Sequence, residues 1–369
     1  MKIFDTSKQS VVDFTPSVPV KIYCCGITPY DAAHMGHAAV YLTFDIVRRR
    51  LEDMGVETRC VRNVTDVDDD ILRRSRELGV HYLDLAAEEM HRFDKDMSAL
   101  GLLPPTSEPR ATSAIPMILN LVDRVLENGH AYRANGSVYF DVSSFPDFGG
   151  VSHFSRNVMM ELAAERGGHV DDPAKRDPLD FVLWQPSMPG EPEWESRWGP
   201  GRPGWHIECS ALALRELGTV DLHGGGSDLV FPHHECESAQ AEAATGRPFC
   251  KYWMHVGMVG LDGVKMSKSL GNLVFVHDLL EQWDPMVVRL AVISNHYRSD
   301  WDWNDQMLEE AAERLDRWRS AGEGDLGIEE VRDCLDNDLD VPGAVDALDR
   351  AAGSGGVSVP AARLLGVNY

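Results

Sequence analysis

The chain has 369 residues, 43% of them hydrophobic, enough for two or three domains with a sizeable core, and it carries no apolar run of membrane length. Its net charge of 35 − 59 = −24 repels polyanions and disfavours a surface that must neutralise many phosphates. Seven cysteines at irregular spacing and the lack of an apolar signal core in Met1-Lys2-Ile3-Phe4-Asp5 exclude a disulfide framework and fit a reducing cytoplasm.

Apolar residues 20–24 predict a strand, 38–54 a helix and 58–64 a second strand, a Rossmann-like βαβ opening. His34-Met35-Gly36-His37 falls at the first crossover, where the helix begins. A helix N-terminus suits phosphate, so His34 and His37 can stabilise charge building on ATP while Gly36 lets the backbone approach the nucleotide. Two histidines around a glycine are equally a structural turn, and these residues alone leave both readings open.

Asp66 and Asp68 precede a helix over 71–78, where they can cap its N-terminus or hold an ammonium or sugar hydroxyls. Helices over 83–100 and 114–128 follow, then a hairpin turning at Asn135-Gly136 between Ala131-Tyr132 and Val138-Tyr139-Phe140. These belong to an inserted domain. The Pro/Gly-rich stretch 186–203 is expected to return the chain to the sheet, with later strands at 220–222 and 252–256. Gly224-Gly225-Gly226 would form a tight turn after the first of them or approach a nucleotide.

Lys265-Met266-Ser267-Lys268-Ser269 puts two cations and two hydroxyls in one loop. Lys265 and Lys268 can counter phosphate charge, and Ser267 and Ser269 can donate to it as the loop closes; a solvated lysine loop is the alternative. Residues 307–319 have helical periodicity, 333–349 predict one more helix, and Gly353-Ser354-Gly355-Gly356 a turn. From Trp301 to the end, six arginines, no lysines and sixteen acids give 6 − 16 = −10, a poor face for RNA.

A second constellation joins Cys25, Cys209 in Gly204-Trp205-His206-Ile207-Glu208-Cys209-Ser210, and His233 and Glu237, four apart and so on one helical face. Two thiolates, an imidazole and a carboxylate can make a tetrahedral zinc site, or an open three-ligand site if Glu237 is displaced. The spacing is not that of a zinc finger, and ordinary buried cysteines explain it as well.

Taken together, the two nucleotide motifs resemble the paired signature of class I aminoacyl-tRNA synthetases. The stretches Cys25-Gly26-Ile27-Thr28-Pro29-Tyr30-Asp31, Asn63-Val64-Thr65-Asp66-Val67-Asp68-Asp69, Gly201-Arg202-Pro203-Gly204-Trp205-His206, Gly224-Gly225-Gly226-Ser227-Asp228 and Lys265-Met266-Ser267-Lys268-Ser269-Leu270-Gly271-Asn272 are similar to those of cysteinyl-tRNA synthetases and their relatives, the cysteine ligases of mycothiol biosynthesis. The resemblance implies an α/β fold: a class I synthetase Rossmann-like nucleotide-binding domain split by an insertion, with a C-terminal helical bundle. The expected divisions are 1–100 and 191–262 for the catalytic halves, 101–190 for the insertion, and 263–369 for the lysine-serine loop and helices without an anticodon-binding module.

The resemblance also implies catalytic roles for His34, His37, Lys265 and Lys268, and one zinc ion per chain on Cys25, Cys209 and His233, with Glu237 as a candidate fourth ligand. Zinc would bind the substrate thiol far better than a hydroxyl and so reject serine. Thr28, Thr65, Trp205 and His206 match residues around bound cysteine. Gly36, Gly224, Gly225, Gly226, Asp228, Val256, Gly257, Met258, Val259, Ser267 and Ser269 match nucleotide-binding positions. The wording of 28–39, 160–168 and 175–178 favours the ligases, whereas Glu237 and 265–272 are spelled as in synthetases. The expected activity is formation of cysteinyl-AMP from cysteine and ATP, with Mg2+, and transfer to the amine of glucosaminyl-inositol. A cytoplasmic monomer with no nucleic-acid or membrane partner is expected; the alternative is a compact cysteinyl-tRNA synthetase.

Overall fold

Four parallel strands make the central sheet, in the order Cys250–Val256, Val220–Gly226, Val20–Ile27, Thr58–Val64. The computed structural model describes residues 1–266 and 270–369, so Ser267, Lys268 and Ser269 lie outside the described residues. Chain order runs outward in both directions from Val20–Ile27, which leaves a crevice beyond the C-terminal ends of that strand and Val220–Gly226, the usual ligand position in such sheets.

Both faces of the sheet are covered, so side-chain alternation sorts residues between two cores. Ile22 and Cys24 pack with Leu222, Met254 and the helix Met35–Asp53; Tyr23 and Cys25 pack with the helices Trp205–Leu217 and Glu235–Thr245. The first core continues into the C-terminal helices Pro285–Ile293, Gln306–Ala321, Ile328–Asp336, Val341–Gly353 and Val359–Leu364, where Trp318 is fully enclosed. Arg289 ties these helices to the helix Met35–Asp53: it pairs with Asp45 at 2.5 Å and donates to the carbonyls of Leu365 and Leu100 at 2.7 and 2.9 Å, all within the interior.

The segment between the sheet halves contains the helices Tyr82–Ala99, Ile115–Glu127 and Arg156–Glu165 and an antiparallel sheet, Ala131–Ala134, Ser137–Phe140, Phe181–Gln185 and Arg202–Pro203. Its first hairpin turns at Asn135 and Gly136, both at positive φ, as the Asn-Gly pair requires. No helix among the described residues is long and apolar enough to cross a membrane.

Three expectations are corrected. Gly224, Gly225 and Gly226 are not a turn after the strand but its last three residues, paired with Met254, His255 and Val256. At Gly224 a Cβ would sit 1.8 Å from the Met254 carbonyl oxygen and 2.7 Å from Phe44, so close strand and helix approach demands glycine. The single helix expected over 333–349 is two, broken at Asp338 and Leu339, both at positive φ. Asp338 holds that break by accepting from the Phe4 amide and the Tyr297 hydroxyl, each at 2.7 Å, and pairing with Arg298 at 2.6 Å. Finally, 186–203 does not lead directly into the central sheet, because Arg202–Pro203 pairs with Phe181–Gln185 in the antiparallel sheet. The helix Trp205–Leu217 makes the return. The N-terminal hairpin Lys2–Asp5 with Ser10–Asp13 was not expected.

Candidate functional site

His34 is the N-cap of the helix Met35–Asp53. Its Nδ1 accepts the Gly36 amide at 3.1 Å, and the Nδ1 of His37 accepts the His34 amide at 3.4 Å, a reciprocal capping box built from two stacked imidazoles. An Nδ1 that accepts is unprotonated, which leaves each neutral ring with its proton on Nε2 as a donor. The segment just after the lysine-serine loop is stitched to this helix start. Met35 donates to the carbonyl of Val274 at 3.0 Å and Val276 to that of Ala33 at 2.9 Å.

Lys265 closes a short hairpin with Val259–Leu261 and reaches back to Asp228, Nζ to Oδ2 at 3.4 Å. Asp228 lies two residues after Gly226, in the single turn Ser227–Leu229 at the strand end, where a Cβ on Gly226 would meet its carboxylate at 2.5 Å. Val256 ends the neighbouring strand, and Gly257, Met258 and Val259 lead from it into the Lys265 hairpin; the Gly257 amide donates to Tyr297 and the Met258 amide to Asp300, both at 2.7 Å. Thus the glycine strand, Asp228, 256–259 and Lys265 surround one edge. The expectations for Ser267, Lys268 and Ser269 fall outside the described residues.

Cys25, Cys209, His233 and Glu237 are all buried, and one ligand atom from each lies within 4.8 Å of the others. Alternation explains why Cys25 and not Cys24 joins them, since Tyr23 and Cys25 face the side on which the helices bearing Cys209 and Glu237 pack, whereas Ile22 and Cys24 face the other. Glu237 also meets residues that the spacing did not disclose. Its Oε1 is 3.0 Å from His233 Nε2 and its Oε2 is 3.0 Å from His223 Nε2, while His234 Nε2 is 3.3 Å from Cys25 Sγ. Cys25, His223, His234 and Glu237 therefore form a second convergent set that shares two members with the first. Behind it His234 bonds His255, and His255 bonds Thr6, each at 2.7 Å. His223 was legible in principle: it pairs with Tyr23 across the strands and so faces the same side.

The electrostatics call for a cation. The hydrogen bond from Cys25 holds the Cys209 thiol at about 6 against burial. Burial pushes Glu237 up, but His223 and His233 bring it down to about 2; burial pushes His233 down, but Glu237 and Cys209 raise it to about 10. A divalent ion suits a cage in which a thiol and a carboxyl, both held low, flank the His233 imidazole. Two soft sulfurs with one nitrogen and one oxygen fit zinc best, which favours the set with Cys209 over the one with three harder donors.

Trp205 stacks on His233 with ring centroids 4.1 Å apart, and His206 Nδ1 is 2.9 Å from His233 Nδ1. Burial and then His233 keep His206 well below its ordinary value, hence neutral. Thr28 and Thr65 follow the ends of the paired strands Val20–Ile27 and Thr58–Val64, with the Thr65 amide on the Ile27 carbonyl at 3.0 Å. The Thr28 hydroxyl donates to Asp68 at 3.0 Å, and Asp68 caps the helix Asp69–Leu78 through the Ile71 amide. Asp66 accepts the amide and hydroxyl of Thr112 at 2.9 and 2.6 Å.

The chain is similar to known proteins along nearly its whole length. Residues 12–313 match the family of tRNA synthetases class I (C) catalytic domains. The L-cysteine:1D-myo-inositol 2-amino-2-deoxy-alpha-D-glucopyranoside ligase of Streptomyces coelicolor is 50% identical over 375 residues, 98% of this chain and 92% of the relative. That of Thermomonospora curvata is 49% identical over 361 residues, 95% and 87% of the two chains. Among solved structures, Mycobacterium tuberculosis methionyl-tRNA synthetase in complex with methionyl-adenylate superposes with a TM-score of 0.68 over 91% of this chain and 82% of its own, at 16% identity, a likeness of fold.

Proposed function

This chain belongs to the family of L-cysteine:1D-myo-inositol 2-amino-2-deoxy-alpha-D-glucopyranoside ligases, within the class I (C) synthetase domains, and from that membership we propose how its site works. It activates cysteine with ATP to cysteinyl-AMP and passes the cysteinyl group to the amine of glucosaminyl-inositol, a step of mycothiol biosynthesis. The cysteine carboxylate attacks the α-phosphate and pyrophosphate leaves; the acceptor amine then attacks the acyl carbon, an amide forms, AMP leaves, and the amine gives up a proton. The observation that supports this reading is that the strand carrying Cys25 of the thiol-imidazole-carboxylate cage leads into the helix capped by His34 and His37.

His34 and His37 present Nε2 donors at the positive end of a helix, where ATP phosphates bind as charge develops. Lys265, with Lys268, neutralises the leaving pyrophosphate, which requires Lys265 to exchange Asp228 for phosphate oxygens. Gly224, Gly225, Gly226 and 256–259 leave room for the nucleoside, and ATP arrives with Mg2+. A zinc ion on Cys25, Cys209, His233 and Glu237 would supply thiol selectivity. Trp205 and His206 orient His233, and Thr28 and Thr65 face the amino acid. The expected divisions of the chain, its monomeric state and its place in the cytoplasm belong to the same proposal.

Incubation of zinc-loaded protein with ATP, cysteine and glucosaminyl-inositol should give the cysteinyl amide, detected by mass spectrometry, in proportion to AMP. Cysteinyl-tRNA formed instead would identify the compact synthetase. The charge of −24 and the acidic C-terminal helices count against that outcome.

A further inference from the structure

Glu208 lies one residue before Cys209 in the first turn of the helix Trp205–Leu217. It is completely buried, and among the described residues neither of its carboxyl oxygens has a hydrogen-bond partner. Buried carboxyls are paired as a rule, so an orphan of this kind marks a group that something else must satisfy. Burial first, and then the neighbouring Asp68, Cys209 and Asp66, push its carboxyl well above the ordinary value, with Arg202 the one group pulling it down. Arg202 is already committed, to Asp69 and to Glu191 at 3.1 Å. Asp66 is satisfied by Thr112, whereas Asp68 is half-buried with one oxygen on the Ile71 amide and the other on the Thr28 hydroxyl. Burial, reinforced by Asp70 and Asp69, pushes Asp68 up to about 7.

A compact cation with several N–H donors would answer this arrangement. A metal ion would not, because the three carboxylates do not converge to within 4.8 Å as the two metal sets do. We propose that Glu208 and Asp68, with the Thr28 hydroxyl beside them, bind the α-ammonium group of substrate cysteine. The inference rests on the cysteine-activation reading above. In cysteine three bonds separate sulfur from nitrogen, so a thiol held at Cys209's cage brings the ammonium close to the residue before Cys209. The acceptor amine is a poorer match, since it need only reach the acyl carbon and is not tied by a short bond path to a thiol at Cys209. The cluster also selects: a thiol acid without an ammonium leaves Glu208 and Asp68 uncompensated.

The test is cysteine-dependent pyrophosphate exchange by zinc-loaded protein, which needs no acceptor, with 3-mercaptopropionate as a competing thiol that lacks the ammonium. Glu208→Gln and, separately, Asp68→Asn should raise KM for cysteine tenfold or more, leave KM for ATP within twofold, and leave inhibition by 3-mercaptopropionate unchanged or tighter. Thermal melting checks that each variant folds; Glu208→Asp, which keeps the charge, should recover part of the cysteine affinity. Equal weakening of cysteine and 3-mercaptopropionate, or a change only in KM for the acceptor, would overturn the inference while leaving cysteine activation intact. Wild-type protein with no exchange at all would overturn both.

Discussion

His34 and His37 hold each other in place: their rings stack with centroids 3.9 Å apart, and each Nδ1 caps a backbone amide at the start of the Met35–Asp53 helix. The proposed chemistry would then draw on the same two side chains, because capping through Nδ1 leaves the proton of each neutral ring on Nε2. His34→Asn keeps an N-cap and should change stability by less than about 1 kcal/mol, yet slow pyrophosphate exchange by about 10²- to 10³-fold. His34→Ala should lose the same activity and also about 0.5–2 kcal/mol of stability. Chemical denaturation and exchange rates on the two variants separate the contributions; near-wild-type exchange rates in both variants would remove His34 from phosphate stabilisation.

The shared membership of Cys25 and Glu237 in two convergent sets makes metal content a sharp measurement. Cys209→Ala should lose stoichiometric zinc, whereas His234→Ala should retain it at saturating metal. His223→Asn removes the partner of Glu237 Oε2 and should weaken zinc by roughly 10- to 100-fold. Zinc at 100 times its Kd should stabilise the wild-type fold by about 2.7 kcal/mol, a gain a chelator reverses. Retention of zinc by Cys209→Ala with loss in His234→Ala would move the metal to the other set.

Asp45 and Arg289 are fully buried together, so removing one leaves a charge without compensation. Asp45→Asn should cost about 3–5 kcal/mol in urea denaturation. Burial pushes Asp45 up, but Arg289 and then Arg49 hold its carboxyl below the ordinary value. With the folded value below the unfolded one, this stabilisation is complete above about pH 4 and is lost as pH falls through the folded value. The variant should thus lose part of the wild-type decline in stability below about pH 4; parallel acid limbs would contradict the pairing.

Glycines at strand and helix ends should respond very differently. Gly224→Ala drives a methyl into the Met254 carbonyl and should cost at least about 3 kcal/mol or prevent folding. Gly79, the left-handed C-cap of the helix Asp69–Leu78, has open space around it, and Gly79→Ala should cost only about 1–2 kcal/mol. Thermal melts of the pair decide whether close packing or turn geometry retains glycine at 224.

What the sequence disclosed follows from how local each signal is. The strand Thr58–Val64 and the hairpin at Asn135-Gly136 are written in consecutive residues, and both form as periodicity and turn chemistry predict. The break at Asp338 and Leu339 is not, because its left-handed backbone is held by Phe4, Tyr297 and Arg298 from elsewhere in the chain. For the glycine run a turn stayed open beside a nucleotide contact, since nothing local tells of the Met254 carbonyl pressed against it. Cys25, Cys209, His233 and Glu237 were named from their types and family wording, and the structure brings them together. His223, His234 and His255 escaped notice because their convergence depends on strand register, which becomes legible only once Tyr23 and His223 are known to pair.

The most direct test is AMP release by zinc-loaded protein supplied with ATP and cysteine, with glucosaminyl-inositol added to one sample and tRNA to another. Stimulation by the amino sugar alone is the predicted result. Stimulation by tRNA alone, or no AMP formation with any acceptor, would contradict it.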